Sequence, residues 1–157
     1  MQRVAIFVDV QNVYYTTREA FGRHFDYHAF WARFAAGCEV VEANAYAVER
    51  GDPRQQQFQA ILRRIGFTVK LKPFIQRRDG SAKGDWDVGI ALDAIEAAPR
   101  VDRVVLVSGD GDFDLLVERM RERHGVVVEV VGVERLTADS LVRAASHFVP
   151  IEGELLR

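Results

Sequence analysis

Three aspartates stand within five residues in the segment Ser108-Gly109-Asp110-Gly111-Asp112-Phe113-Asp114, directly after the apolar run Val104-Val105-Leu106-Val107. Crowded like charges make a poor packing unit, but carboxylate oxygens set close together suit a hard divalent cation. A second apolar run, from Val4 to Val8, ends on Asp9 and is followed by Gln11 and Asn12. A lone carboxylate at the end of a buried strand is costly unless a cation or hydrogen-bond donors face it. Two strand ends that each carry a carboxylate predict one metal site assembled from distant parts of the chain.

The acids are not equivalent. Asp110 and Asp112 sit at a strand-to-helix turn, where Gly109 and Gly111 allow positive φ and close backbone approach, and where a helix N-terminus favours anions. Asp114 is better placed to complement the helix dipole. Asp85 and Asp87 flank Trp86 at the start of a helix, and neighbours two apart lie roughly 200° around it, so only one faces the crevice. Asp85 suits the N-cap, which leaves Asp87 as the ligand. Asp93 lies about 120° further round and is read as supporting or structural. Asn12 could orient a phosphate oxygen or cap the first helix. Ser108 could donate to a carboxylate or to phosphate, and Lys83 could contact phosphate.

The elements that position these residues follow from periodicity. Near-continuous apolar strands are predicted at 3–9, 39–48, 103–107 and 126–131, as in a parallel sheet covered on both faces. A strand at 67–75 alternates apolar residues with Lys70 and Lys72 and belongs near an edge. Helices are predicted around 11–22, 26–36 with Asp26 as N-cap, 53–65 with Pro53 at the first position, 85–98, 112–124 and 137–145. Residues 76–84 read as a long polar loop and 147–151 as a terminal stretch. Alternating strands and helices predict an α/β fold with a central, mainly parallel sheet in a three-layer α/β/α arrangement. Ligands in such sheets gather at carboxyl ends of strands, where strand order reverses. The prediction therefore needs the strand at 103–107 to lie beside the first.

Composition narrows the function classes. The 157 residues, 48% hydrophobic and 28% charged, fit one domain spanning 1–157. The single cysteine, Cys38, excludes an internal disulfide and a cysteine-based zinc site, and its surroundings read as core packing. HExxH, GxSxG and the P-loop pattern are absent. No stretch is long and apolar enough to span a bilayer, so no membrane partner and a cytoplasmic location are expected. The net charge of −2 argues against a protein that coats nucleic acid, yet seven basic residues and one acid lie between Arg63 and Lys83, including Arg77 and Arg78. A basic surface beside an acidic pocket suits a polyanion processed through a metal ion. Tyr14, Tyr15 and Trp86 are the nearest aromatics and could stack bases or form groove walls. Apolar positions on the later helices suit pairing as a homodimer.

Phe-Val-Asp-Val-Gln-Asn at 7–12, Lys-Gly-Asp-Trp-Asp-Val-Gly-Ile-Ala-Leu-Asp at 83–93 and Ser-Gly-Asp-Gly-Asp-Phe at 108–113 together resemble the NYN domain, in the LabA-like branch of the PIN-like nuclease superfamily. The resemblance runs along nearly the whole chain. It implies a PIN-like fold and metal-dependent ribonuclease chemistry. It places the acids on Asp9, Asp87, Asp110 and Asp112 and the asparagine on Asn12, with Asp114 and Asp85 peripheral. The expected activity is Mg²⁺- or Mn²⁺-dependent phosphodiester hydrolysis of single-stranded RNA. In that reading Asp9, Asp87 and Asp110 hold the first metal, Asp112 completes a second or a water-mediated shell, and basic residues of 70–83 guide the strand. One rival is a non-catalytic RNA-binding or regulatory module. A haloacid dehalogenase-type phosphatase fits poorly, because it needs Asp-x-Asp where this chain has Asp9-Val10-Gln11.

Overall fold

The computed structural model describes residues 1–73, 75, 76, 82, 83 and 85–157, with 75, 76, 82 and 83 described by their backbone. Strands β1 (Arg3–Asp9), β2 (Glu39–Glu49) and β3 (Thr68–Pro73) alternate with helices α1 (Val10–Phe21), α2 (Tyr27–Phe34) and α3 (Pro53–Ile65). A short antiparallel pair, β4 (Ile75–Gln76) and β5 (Ala82–Lys83), precedes α4 (Asp87–Ala97). Then come β6 (Arg103–Val107), α5 (Asp114–His124), β7 (Val127–Gly132), α6 (Asp139–Ala144) and β8 (His147–Pro150).

Six strands form one sheet in the order β3-β2-β1-β6-β7-β8, and every neighbouring pair is parallel. The chain builds outward from β1 to β3, returns to the centre, and builds outward again from β6 to β8. Strand order therefore reverses between β1 and β6, and Val8 pairs with Val107 at their carboxyl ends. The adjacency that the sequence left open is present, and both acidic strand ends open onto one crevice.

Residues Val4 to Val8 are fully buried because both faces of β1 are covered. Val4, Ile6 and Val8 pack with Phe30, Phe34 and Leu62 on the α1–α3 side. Ala5 and Phe7 pack with Ile90, Val117 and Met120 on the α4–α5 side. Burying a side chain of this size contributes ~2 kcal/mol, so the central strands anchor the crevice rigidly. Arg103 at the start of β6 pairs with Glu129 of β7 and donates to the Phe34 carbonyl at 2.8 Å, tying α2 to the sheet. Cys38 is half-buried where α2 passes into β2, with Arg103 Nη2 at 3.5 Å.

Three expectations change. The segment around 76–84 carries the β4–β5 pair, with Ile75 opposite Lys83. The stretch at 147–151 becomes a sheet-edge strand beside β7. The helix expected from 85 starts at Asp87, because Trp86 occupies the cap position. Leu106→Ala on the fully buried β6 should cost ~2–5 kcal/mol in urea unfolding. The same truncation at the partly exposed Val127 should cost far less.

Candidate metal centre

Asp9 terminates β1 and caps α1. Its Oδ1 accepts the Asn12 backbone N–H at 3.4 Å and its Oδ2 accepts the Ser108 hydroxyl at 3.2 Å. Burial dominates its chemistry and pushes its pKa up to about 6; the Asn12 and Ser108 donors oppose that shift, and the charges of Asp110 and Asp85 add to it. Asn12 Oδ1 accepts the Gly109 N–H at 2.9 Å, which ties the first turn of α1 to the loop after β6. Ser108 is fully buried, and its Oγ also accepts the Asp110 N–H at 3.2 Å. Of the two roles open to Ser108, the structure shows the carboxylate contact: the buried hydroxyl donates to Asp9 and accepts from Asp110, and so positions both.

Asp110 Oδ1 accepts the Asp112 N–H at 2.9 Å and opens a 3₁₀ turn at Gly111–Phe113 that leads into α5. Gly109 and Gly111 do not adopt positive φ, contrary to expectation. They are needed for close approach, since a Cβ on Gly109 would lie 2.9 Å from the Leu136 carbonyl oxygen and one on Gly111 2.8 Å from Ala138 Cβ. Asp114 accepts the Leu115 N–H and is spent on the helix end.

The carboxylates of Asp87, Asp110 and Asp112 converge, with one oxygen from each within 4.8 Å of the others. Asp87 has its pKa raised to about 7, first by burial and then by the charges of Asp110 and Asp85 and a hydrogen bond shared with Asp110. One carboxylate from the start of α4 and two from the turn before α5 form an all-oxygen donor set of the kind that suits a hard divalent cation, so the residues fit such an ion. Asp9 is not within this tight group among the described residues; it stands close enough to raise the proton affinity of Asp87. Arg77 and Arg78 lie outside the described residues, and Lys83 is described by its backbone.

Asp87 owes its position to a device that motif spacing did not reveal. No side chain caps α4, and Asp85, expected to be the N-cap, instead accepts the Asp87 N–H at 3.4 Å. Trp86 takes the cap position: its Nε1 donates to the Ala47 carbonyl at 2.9 Å and its ring lies 5.3 Å from that of Tyr46. The Lys72 ammonium sits 4.5 Å from the indole centroid. Gly89 makes room, since a Cβ there would meet Trp86 Cε3 at 2.6 Å. Further along α4, Asp93 accepts the Tyr46 hydroxyl at 2.6 Å and the Lys70 ammonium at 2.7 Å. Burial opposes ionisation of Asp93, but those donors outweigh it and hold its pKa below the usual carboxylate range. The network continues through Asn44 to Glu42 at 2.7 Å and on to Arg100 at 3.1 Å. Glu42, Asn44 and Tyr46 share one face of β2, and polar residues at every second place in a buried strand were the signal available in the sequence.

Two outcomes follow from this geometry. The metal-free fold binds more protons than the unfolded chain between the ordinary carboxylate pKa and about 7 at Asp87 or about 6 at Asp9. Their contribution to stability is thus present in acid and lost as pH rises through those values. Asp87→Asn should raise the melting temperature of chelator-treated protein at pH near 8 and change it little near pH 4, as calorimetry would measure. Trp86→Ala should weaken Mn²⁺ binding by about tenfold in a calorimetric titration, the scale of losing a ligand's support.

A family model for the NYN domain matches residues 3–152, a span containing Asp9, Asp87, Asp110 and Asp112. The chain is 30% identical over 157 residues to the low amplitude and bright protein LabA of Synechococcus elongatus, covering 95% of this chain and 83% of that one. It is similar to the crystal structure of a protein of unknown function from Vibrio parahaemolyticus, with TM-score 0.95 and 60% identity over 99% of this chain and 96% of that one. With an all-parallel, helix-flanked sheet of the PIN-like kind and an acidic cluster at its order reversal, this chain belongs to the NYN domain family as a LabA-like member.

Proposed function

We propose that this chain is a Mg²⁺- or Mn²⁺-dependent ribonuclease acting on single-stranded RNA. The observation that carries the reading is the convergence of Asp87, Asp110 and Asp112 where strand order reverses. Three crowded carboxylates destabilise an empty site and are retained most simply for a cation. Family membership adds support, because NYN domains are nuclease-like.

In this reading Asp87, Asp110 and Asp112 hold the ion, and Asp9 adds negative charge from the end of β1. A bound divalent cation supplies Lewis-acid stabilisation of the charge that builds on a phosphate under attack by water. Ser108 fixes Asp9 Oδ2 and the Asp110 backbone, while Asn12 fixes the loop through Gly109. In this reading the Asn12 amide N–H would donate to a phosphate oxygen while its Oδ1 holds the Gly109 N–H. Lys83, Arg77 and Arg78 supply positive charge for the RNA backbone, and the flexible single strand suits a crevice at the carboxyl ends of the central strands better than a rigid duplex. No helix among the described residues is long and apolar enough to cross a membrane, and the proposed setting is the cytoplasm. The exposed Val88, Leu92 and Ile95 of α4 are the surface on which a homodimer would form.

The test incubates labelled single-stranded RNA with the protein and Mn²⁺ or Mg²⁺. Cleavage should stop with chelator and fall by roughly a hundredfold or more in Asp87→Asn and Asp110→Asn, the scale of losing one strong electrostatic contact. Cleavage that persists in both variants would remove the metal-nuclease reading. Binding without cleavage by the unaltered chain would favour an RNA-binding module.

A further inference from the structure

Helix α1 buries one side only. Val13 and Thr17 are buried, and Val10 and Ala20 pack against the same core. At about 100° per residue, Gln11, Tyr14, Tyr15, Arg18 and Phe21 fall within roughly a third of the circumference, beside that buried stripe. Tyr14 is 42% exposed, Tyr15 49% and Phe21 43%. Packing does not account for a run of large rings held in water, and contiguous exposed apolar surface marks a site of interaction.

The rings are arranged, and cations accompany them. Tyr14 and Tyr15 meet edge to face at 5.3 Å, and the His24 imidazole lies nearly parallel to Tyr14 at 6.1 Å. Arg18 Nη1 donates to the Tyr14 hydroxyl at 3.4 Å, with its guanidinium carbon 6.0 Å from the ring centroid. Arg135 reaches across to the Glu19 carbonyl at 3.4 Å, and Arg23 follows the helix end. These cations share the neighbourhood with the acids Glu19 and Glu134. α1 also begins directly after Asp9, so Tyr14 lies ~7 Å and Phe21 ~18 Å along the axis from the acidic crevice. The face starts at the site and leads away from it. The exposed stripe on α4 differs: Val88, Leu92 and Ile95 are aliphatic and stand beside Asp87 and Glu96, which would repel a phosphate chain.

We propose that the exposed face of α1, formed by Tyr14, Tyr15, Arg18 and Phe21, is a stacking platform for single-stranded RNA that leads the strand to the carboxylates; this rests on the ribonuclease reading. Stacking on a ring needs only the π-face that every base carries, so recognition would be sequence-tolerant, with the His24 imidazole extending the Tyr14 ring and Arg18 adding charge and cation–π contact. The positions are exposed, so substitutions there leave the core intact.

The experiment measures fluorescence anisotropy of a labelled uridine oligonucleotide with chelator present, so that binding is read without cleavage. A Tyr14→Ala/Tyr15→Ala double variant should bind about tenfold more weakly or worse, whereas Tyr14→Phe/Tyr15→Phe should bind as the unaltered chain does, because stacking needs the ring and not the hydroxyl. Mn²⁺ affinity should be equal in all three, which a structural lesion would not allow. Unchanged RNA affinity in the alanine variant, with cleavage intact, would overturn the platform and leave the ribonuclease reading standing. Equal losses in the alanine and phenylalanine variants would also overturn it. A change in sedimentation with unchanged RNA affinity would assign the face to protein contact instead. No RNA binding and no cleavage by the unaltered chain would remove both readings together.

Discussion

Carboxylates at close range repel, and every feature around the crevice works against that repulsion. Asp87, Asp110 and Asp112 reach the crevice from two different helix starts, and Asp9 stands behind them at the end of β1. Left to themselves, these side chains would turn into solvent or take up protons. Asp9 and Asp87 do hold protons more tightly than ordinary carboxyls, because burial and neighbouring charge disfavour ionisation. What keeps the acids together is the stiffness of a sheet whose central strands are buried on both faces.

The two sides of the crevice are held by different means. On the β6 side, short hydrogen-bonded turns suffice: Ser108 links Asp9 to the Asp110 backbone, Asn12 links α1 to Gly109, and Asp110 caps the turn that carries Asp112. On the α4 side the helix start lacks a side-chain cap, so the anchor is a packed aromatic, Trp86, wedged between Tyr46 and Gly89 and bonded to Ala47. The Lys70–Asp93–Tyr46 network then fixes the rotation of the same helix. A charged ligand group is supported by apolar packing on one side and by polar turns on the other. Both convert core stability into site geometry.

The platform proposed on α1 would give the crevice a direction. Acids concentrate at the strand-order reversal, exposed rings and Arg18 lie along α1, and an aliphatic stripe lies on α4. In the proposed reading a polyanion would meet Arg18 and the tyrosine rings on the α1 side and the carboxylate of Glu96 on α4, where Asp93 is already paired with Lys70. That asymmetry is electrostatic and needs no motion of the backbone.

The α/β class, the order of the principal strands and helices, and the clusters of acids at their ends were legible in the residues alone, because those depend on local periodicity and on rare clusters of charge; the β4–β5 pair and β8 were not. The apolar run before Asp9 and the run before Asp110 each announced a buried strand with an acid at its end. Whether those strands were neighbours depended on long-range pairing, which no local pattern encodes; only the tertiary structure set β1 beside β6. Tertiary packing also decided that Trp86 and not Asp85 would take the cap of α4, since the indole finds Tyr46 only across the fold. It decided that Ser108 would be a buried strut, because its exposure depends on what covers the carboxyl end of β6. Residue types state which chemistry is available, and the distance between residues remote in sequence decides which of them share it.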